Sequence, residues 1–443
     1  MHIGIVPALS GLSGGVYQYS LTMLQALSEW KGDPCTDEFV VFADDMHHPV
    51  LVVLRGHGWA VQPLQSSSLK RVAKSGLRWA VGEARVLRTS RWLRSRLKSA
   101  VSLPDPDSVR SRPDMTRRFS GLGVELMLYP TPTTLSFETE IPYVMAVHDL
   151  QHRLQPEFPE VSVGGEWEWR EYLFRNGARY ATLLLADSEV GKEDILTFYG
   201  SYGVTADRVK VLPFLPASYL GGDSSESGRQ RVRTTYHLPE HYLFYPAQFW
   251  PHKNHARIIQ ALELLRMERR LKVPIVLAGS HAGEIQARTF REVMLLSHRL
   301  GIEDQVHYLD YVPEEDMSAL YAGAMALVMP TFFGPTNIPV LEAWASGCPV
   351  ITSDIRGIRQ QSGDAALLVD PRSVEAIADG VYRTWTDETL RHALADRGRK
   401  RLATYTSDHY RCRLSEILEE AKARARSEKS SRGMHKDSFS ARA

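Results

Sequence analysis

Four short stretches of this 443-residue chain combine residue types able to hold an anion beside a neutral polyol. The most specific runs from Pro330 to Ile351, PTFFGPTNIPVLEAWASGCPVI. An apolar strand ends at Pro330 and a loop of turn formers follows. Pro339 suits a first helical turn and Gly347 a helix end. Unpaired amides around Asn337, Ile338 and Val340, with Thr336 beside them, would form an anion site at the helix N-terminus. Glu342, about one turn further on, can accept two hydrogen bonds from a vicinal diol. A carboxylate beside a diphosphate would be repelled, so its expected partner is a neutral ribose.

A second stretch is Tyr245 to His255, YPAQFWPHKNH. Here Gln248, Lys253 and Asn254 precede a helical pattern with Ile258, Ile259, Leu262 and Leu265 on one face. Asn254 is expected to cap that helix and Lys253 to neutralise a diphosphate. In a third, YVMAVHDL, an apolar strand delivers His148 and Asp149 to its carboxyl end, where either can bond a sugar hydroxyl. The fourth is Ser10 to Gly15, SGLSGG, between the first strand and the first helix. Gly14 and Gly15 let backbone approach an anionic oxygen. The pattern is not GxGxxG, which argues against a dinucleotide cofactor. Each motif also has a plainer reading, as a turn, a polar strand end or an exposed lysine.

The elements that must position these residues follow a strand–helix alternation, which reads as α/β with doubly wound parallel sheets. Expected strands in the first half are His2–Pro7, Phe39–Ala43, Leu126–Tyr129, Tyr143–Val147, Thr182–Ala186 and Val209–Leu212. Those in the second are Tyr242–Pro246, Ile275–Ala278, Val306–Leu309, Ala326–Met329, Pro349–Thr352 and Leu367–Val369. Val16, Ser20, Met23, Leu24 and Leu27 mark a first helix facing the core. The length exceeds what one core usually serves, so two domains are expected, 1–218 and 239–405. A polar, glycine-rich linker over 219–238 separates them. A helix over 406–425 and a polar tail over 426–443, expected to be disordered, follow.

A net charge of +1, from 53 basic and 52 acidic residues, excludes a nucleic-acid-binding character for the whole chain. Cys35, Cys348 and Cys412 lie far apart with no CxxC pair, which argues against a disulfide framework or structural zinc. The N-terminus lacks a basic flank, and no apolar run approaches the ~18 residues of a membrane span. The expected location is the cytoplasm. Residues 66–118 break the alternation: 14 Lys/Arg and four acidic residues fall between Lys70 and Arg118, with Trp79 and Trp92 interleaved. This basic insertion either contacts anionic lipid at the cytoplasmic membrane face or grips a pyrophosphate-lipid. The plainer and favoured reading is a solvated helical insertion packed on its domain.

Together these motifs resemble glycosyltransferase family 4, of the GT-B fold, over roughly residues 1–60 and 120–420. The resemblance implies two facing Rossmann-like domains, the first for the acceptor and the second for a nucleotide-sugar, with the last helix crossing back to the first domain. It implies a retaining transfer of a hexose, mannose among the candidates, to a glycan or lipid-diphosphate-linked acceptor in surface polysaccharide assembly. By that likeness Gly14 and Gly15 face the donor diphosphate and acceptor, and His148 meets the donor sugar. Lys253 holds the diphosphate and Glu342 the ribose, while Ser188, in Ala186-Asp187-Ser188, matches a recurrent family serine. Two departures stand out. Where the family has Glu, seven residues, then Glu, the first position is Gly334; where it has Gly-Arg, this chain has Ala247-Gln248. Thr336, Asn337 or backbone amides would then take over those contacts.

No cofactor beyond the nucleotide-sugar co-substrate is implied, and no metal: the Asp-x-Asp, Asp105-Pro106-Asp107, lies in the insertion rather than at a strand end. Two rival readings remain. One is a sugar-nucleotide epimerase or phosphorylase of the same architecture. The other is a catalytically silent nucleotide-sugar-binding scaffold, motivated by Gly334 and Gln248.

Overall fold

A computed structural model describes residues 1–9, 14–29, 37–64, 105, 107–217, 220 and 222–440, with side chains to residue 428. Ser10–Ser13 of the glycine loop, Cys35, and most of the basic insertion with Trp79 and Trp92 lie outside the described residues.

Thirteen strands among the described residues form two wholly parallel sheets. They are β1 His2–Ile5, β2 Glu38–Ala43, β3 Ala60–Pro63, β4 Val124–Tyr129, β5 Tyr143–Val147, β6 Leu183–Ala186, β7 Val209–Val211, β8 Leu243–Pro246, β9 Ile275–Ala278, β10 Val306–Leu309, β11 Ala326–Met329, β12 Val350–Ser353 and β13 Leu367–Val369. The first sheet has the order β3-β2-β1-β4-β5-β6-β7 and the second β10-β9-β8-β11-β12-β13. In each, the order reverses beside the strand that opens the sheet, between β1 and β4 and between β8 and β11. Loops leaving those strands diverge there and open a crevice at their carboxyl ends. Only β3 was missed by the sequence reading; it is a short edge strand that contains Gln62 and ends in Pro63, so it lacks an apolar run.

Alternation along the first sheet divides its core in two. Ile3, Ile5, Leu126, Leu128, Val144 and Ala146 face one layer, with Met23, Leu24 and Leu27 of the Gly15–Ser28 helix. Val40, Phe42, Met127, Tyr129 and Met145 face the other, with Phe119 and Tyr172. Val16 departs from the expected core stripe: in the first turn of the helix, it is exposed and lines a cleft instead.

The segment expected to be a linker contains the helix Glu226–Thr235. Ser225 Oγ accepts from Gly228 N at 3.3 Å, Val232 is buried, and Arg231 pairs with Asp316 at 2.6 Å. Its polar composition hid a helix that needs only one apolar anchor to pack against the second domain.

The last helix, Ser407–Ser440, extends through most of the segment expected to be a disordered tail. No proline interrupts it, and its many Glu, Lys, Arg and Ala residues favour helix. It crosses back to the first domain, burying Tyr410, Leu414, Ile417, Leu418, Ala421 and Ala425. Lys422 pairs with Asp37 at 2.6 Å, Glu420 with Lys210 at 2.7 Å, and Arg424 with Asp207 at 2.8 Å.

Candidate active site

The loop after β11 is held from both sides. Asn254 Nδ2 donates to the carbonyls of Pro330 and Pro371, each at 2.8 Å, and Phe332 N donates to His252 O at 2.8 Å. The loop ends in the helix Ile338–Ala345, with Pro339 in its first turn and Gly347, φ +69°, just past its end, as the residue types require. Asn337 stands at the N-cap, yet its side chain does not cap the helix. Its backbone exchanges two 2.9 Å bonds with the Gln361 amide instead. Val340 N donates to Asn337 O at 3.3 Å and Pro339 has no N–H, so of the amides expected to hold an anion only that of Ile338 stays available. Asn337 Nδ2 is buried without a hydrogen-bond partner. Glu342 is buried and accepts from Tyr321 Oη at 2.7 Å.

Gly334 has a φ of +146°, and a Cβ there would come within 2.4 Å of Asn337 Nδ2. A glutamate therefore cannot occupy this position without moving the Asn337 amide, which fills the adjoining space. The departure from the family pattern at 334 is thus coupled to Asn337. The other departure, Gln248, has its Oε1 bound by Trp250 Nε1 at 2.9 Å, leaving Nε2 on the side of Gly14.

Lys253 ends the turn Pro251–Lys253 after β8, its carbonyl fixed by Tyr245 Oη at 2.7 Å. Its ammonium makes no ion pair among the described residues. Burial pulls it down to about 8, against the opposing pull of the Asp149 and Glu160 carboxylates.

The next residue differs from expectation. Asn254 adopts the left-handed region (φ 62°) and spends its side chain on the two carbonyls rather than on capping. Asn254→Ala is accordingly expected to destabilise the protein by about 2–4 kcal/mol, from two lost buried bonds and a strained backbone. Asn254→Gly should recover only the backbone part. Denaturant titration checks this, and a loss below ~0.5 kcal/mol for alanine would reject the clamp.

From the first domain, His148 follows β5 and lies within hydrogen-bond reach of Pro130 O, at the end of β4, through Nε2 at 2.8 Å. Burial holds its pKa below the usual histidine range, so the ring is neutral. Nε2–H then donates to Pro130, and Nδ1 is left as an acceptor. Tyr19 and Phe214 wedge the ring at 4.7 and 5.6 Å between centroids. Asp149 accepts from Gln151 N at 3.0 Å and faces Arg170 at 3.8 Å. Gly14 has φ +133°, and a Cβ on Gly15 would sit 3.4 Å from Ile338 Cδ1, so the glycine turn faces the second domain closely.

Several bonds join the domains across this crevice. Thr336 Oγ1 donates to Asp187, Gln18 Nε2 to Glu314 at 3.0 Å, and Gln155 Nε2 to Phe332 O at 2.9 Å. The His252 ring bonds Glu160 through Nδ1 at 2.6 Å, and Arg356 pairs with Asp194 at 2.7 Å. Burial pushes the Asp187 carboxyl up to about 7, with the Thr336 and Ser188 hydroxyls working against it.

Between the domains lies a cleft of about 1160 Å³. It gathers Gly14, Gly15, His148, Asp149, Gln248, Lys253, Thr336, Asn337, Ile338 and Glu342. Ser188 is not on its wall. Its hydroxyl caps the Glu189–Tyr199 helix, accepting from Gly191 N at 3.1 Å, and bonds Asp187, which does line the cleft. Asp187, Gln151, Glu160, Arg170 and Glu314 also line it. Sequence reasoning missed them; Asp187 stood beside a quoted serine, whereas the others carried no motif. Asp107 of the Asp-x-Asp pairs with Arg175 at 2.9 Å, away from the cleft.

Residues 229–401 match the family model described as glycosyl transferases group 1. O-antigen chain mannosyltransferase B of Escherichia coli is 30% identical over 258 residues, 58% of this chain and 64% of that protein. D-inositol 3-phosphate glycosyltransferase of Corynebacterium glutamicum (strain R) is 24% identical over 288 residues, 63% of this chain and 67% of that protein. The chain spans less than two thirds of the E. coli mannosyltransferase it matches, at 64%. Among solved structures, Anabaena HepE in complex with UDP-glucose superposes with a TM-score of 0.65 at 18% identity, covering 95% of this chain and 99% of that one. WaaG, a glycosyltransferase involved in lipopolysaccharide biosynthesis, gives 0.60 at 14%, covering 94% and 99%. At such identities the structural likeness establishes the fold, two facing Rossmann-like domains in the GT-B arrangement.

Proposed function

We propose that this chain, a glycosyltransferase family 4-like protein on the GT-B fold, moves a hexosyl group from a nucleotide-sugar to a glycan or lipid-linked acceptor with retention of anomeric configuration. The observation that carries this reading is the grouping of three features on one wall of the cleft: the Lys253 ammonium, the uncapped start of the Ile338–Ala345 helix and Glu342. Opposite them stand Gly14, Gly15 and His148. A diphosphate fits the first two features by charge, and a ribose fits the third through its hydroxyls.

In this mechanism the bond from the anomeric carbon to the diphosphate oxygen breaks while the acceptor oxygen bonds the same carbon from the same face. The acceptor's proton passes to the departing diphosphate. Lys253, the Ile338 amide at the helix start and the Gly14-Gly15 backbone stabilise the developing charge electrostatically. His148 Nδ1 is free to accept from a donor-sugar hydroxyl. The joined domains exclude water and so limit hydrolysis. Mannose is the proposed sugar, supported by the E. coli relative named a mannosyltransferase. Action at the cytoplasmic membrane face is proposed with it. No helix among the described residues is long and apolar enough to cross a membrane.

A thermal-shift screen against UDP-, GDP- and ADP-sugars, followed by product analysis, tests the reading. One nucleotide class should raise Tm, and the sugar should leave it for an acceptor with its configuration kept. Recovery of an epimerised nucleotide-sugar would overturn the proposal. Tight binding without turnover would favour the silent scaffold, the reading that draws on Gly334 and Gln248.

A further inference from the structure

The wall that the first domain gives to the cleft carries two polar atoms that nothing in the fold satisfies. Gln151 Nε2 and Glu160 Oε2 are buried and without hydrogen-bond partners, on residues only 5% and 7% exposed. Buried polar atoms are almost always paired, so two orphans on residues that line one cleft point to a ligand contact. One is an amide donor and the other a carboxylate acceptor. A hydroxyl is the common group that can accept from the first and donate to the second.

Charge narrows the ligand further. Among the described residues, the first domain's cleft wall holds the carboxylates of Asp149 and Glu160, and the Asp187 carboxyl drawn up to about 7, against one cation, Arg170. Arg170 is already engaged, by Glu166 at 3.0 Å and Asp149 at 3.8 Å. A phosphate or carboxylate brought against this wall would meet Asp149 and Glu160 and be drawn instead to the Lys253 ammonium of the second domain. Position narrows it as well. The other oxygen of Glu160 is bonded by His252, the neighbour of Lys253 in the chain. A hydroxyl bound there lies on the side of the ammonium, where an acceptor must enter to attack from the leaving-group face.

We propose that Gln151 and Glu160 form a hydroxyl-reading pair for the acceptor, whose reacting end is therefore a neutral sugar rather than an anionic group. This rests on the glycosyl-transfer reading given above.

The test uses the full chain, GDP-mannose and UDP-glucose as donors, and octyl glycosides of mannose, glucose, galactose and N-acetylglucosamine as neutral acceptors. Octyl glucuronide is the anionic comparison. Transfer is followed by product analysis, and binding by saturation-transfer NMR with the nucleoside diphosphate present. At least one neutral glycoside should bind or be glycosylated, and octyl glucuronide should not. Glu160→Gln keeps an oxygen for His252 but turns the orphan acceptor into a donor; Gln151→Glu does the reverse. Each alone should raise the acceptor KM, or its Kd, at least about tenfold while the nucleotide-sugar Kd moves less than about threefold. The double variant Gln151→Glu/Glu160→Gln restores a donor opposite an acceptor and should recover most of the loss, because a hydroxyl can turn around.

A purely structural role would give no such rescue. The inference is overturned by failure of the double variant to recover, by acceptance of the glucuronide, or by a neutral panel that neither binds nor reacts. A parallel weakening of donor binding would overturn it too, by assigning the pair to the donor. Failure of the glycosyl-transfer reading looks different: the parent would then move no sugar from either nucleotide to any acceptor, whether it binds the nucleotide-sugar without turnover or returns it epimerised.

Discussion

Lys253→Ala should lower kcat/KM for the nucleotide-sugar by about 100- to 1000-fold, roughly 2.7–4 kcal/mol of barrier, as when one preorganised donor is taken from a developing anion. The size follows from the surroundings of this ammonium. It is partly withdrawn from water, makes no ion pair among the described residues, and adjoins the uncapped helix start in one cleft. Its charge is therefore unspent until an anion arrives. Because burial draws the group down to about 8, the effective charged form is complete only below that pH and is lost above it. The kcat/KM of the parent, which reports the free enzyme, should fall as pH rises through about 8. The limb in kcat should lie higher, since bound diphosphate favours the charged lysine. Lys253→Arg, whose guanidinium stays charged, should lack the limb even if its activity is low. Steady-state rates across pH 6–9.5 decide the matter, and an alanine variant within a few-fold of the parent removes Lys253 from the mechanism.

The second large effect concerns Glu342. Its loss should weaken nucleoside-diphosphate binding by about 1.5–3 kcal/mol, the range for hydrogen bonds to a charged group, or roughly 10- to 150-fold in Kd. Glu342 is buried and oriented by Tyr321 at 2.7 Å, so its position in the cleft is preset. Glu342→Gln keeps the volume but removes the charge, and Tyr321→Phe removes the orienting hydroxyl without touching the carboxylate. Calorimetry with a nucleoside diphosphate and its 2′,3′-dideoxy analogue forms a cycle. The parent should prefer the ribose form strongly and Glu342→Gln should lose most of that preference. An undiminished preference in the variant would place the ribose elsewhere.

Much of this architecture was legible in one dimension. Apolar runs such as Ala326–Met329 and Ile275–Ala278 are fully buried in parallel sheets, and a buried strand must be apolar on both faces. Turn chemistry was legible too: Pro339 and Gly347 stand where a helix starts and stops. Misreadings arose where composition and packing part company. Glu226–Thr235 looked like a linker because a single buried valine anchors it. Asn254 looked like a cap because asparagine before a helix usually is one; its amide instead found two carbonyls from remote segments.

By itself the sequence determined the two-sheet architecture, the strand end that carries His148, the turn that carries Lys253, the helix that carries Glu342, and the substitutions at Gly334 and Gln248. These depend on residue type and on periodicities of two and 3.6, which are local properties of the chain. Only the tertiary structure decided that Asp187 rather than Ser188 reaches the cleft, that Asn337 fills the space a side chain at 334 would need, and that Gln151 and Glu160 stand buried without partners. Those outcomes turn on which remote atoms meet, as Thr336 meets Asp187 and His252 meets Glu160. Hydrogen bonds between segments far apart in the chain leave no periodic trace in the order of its residues.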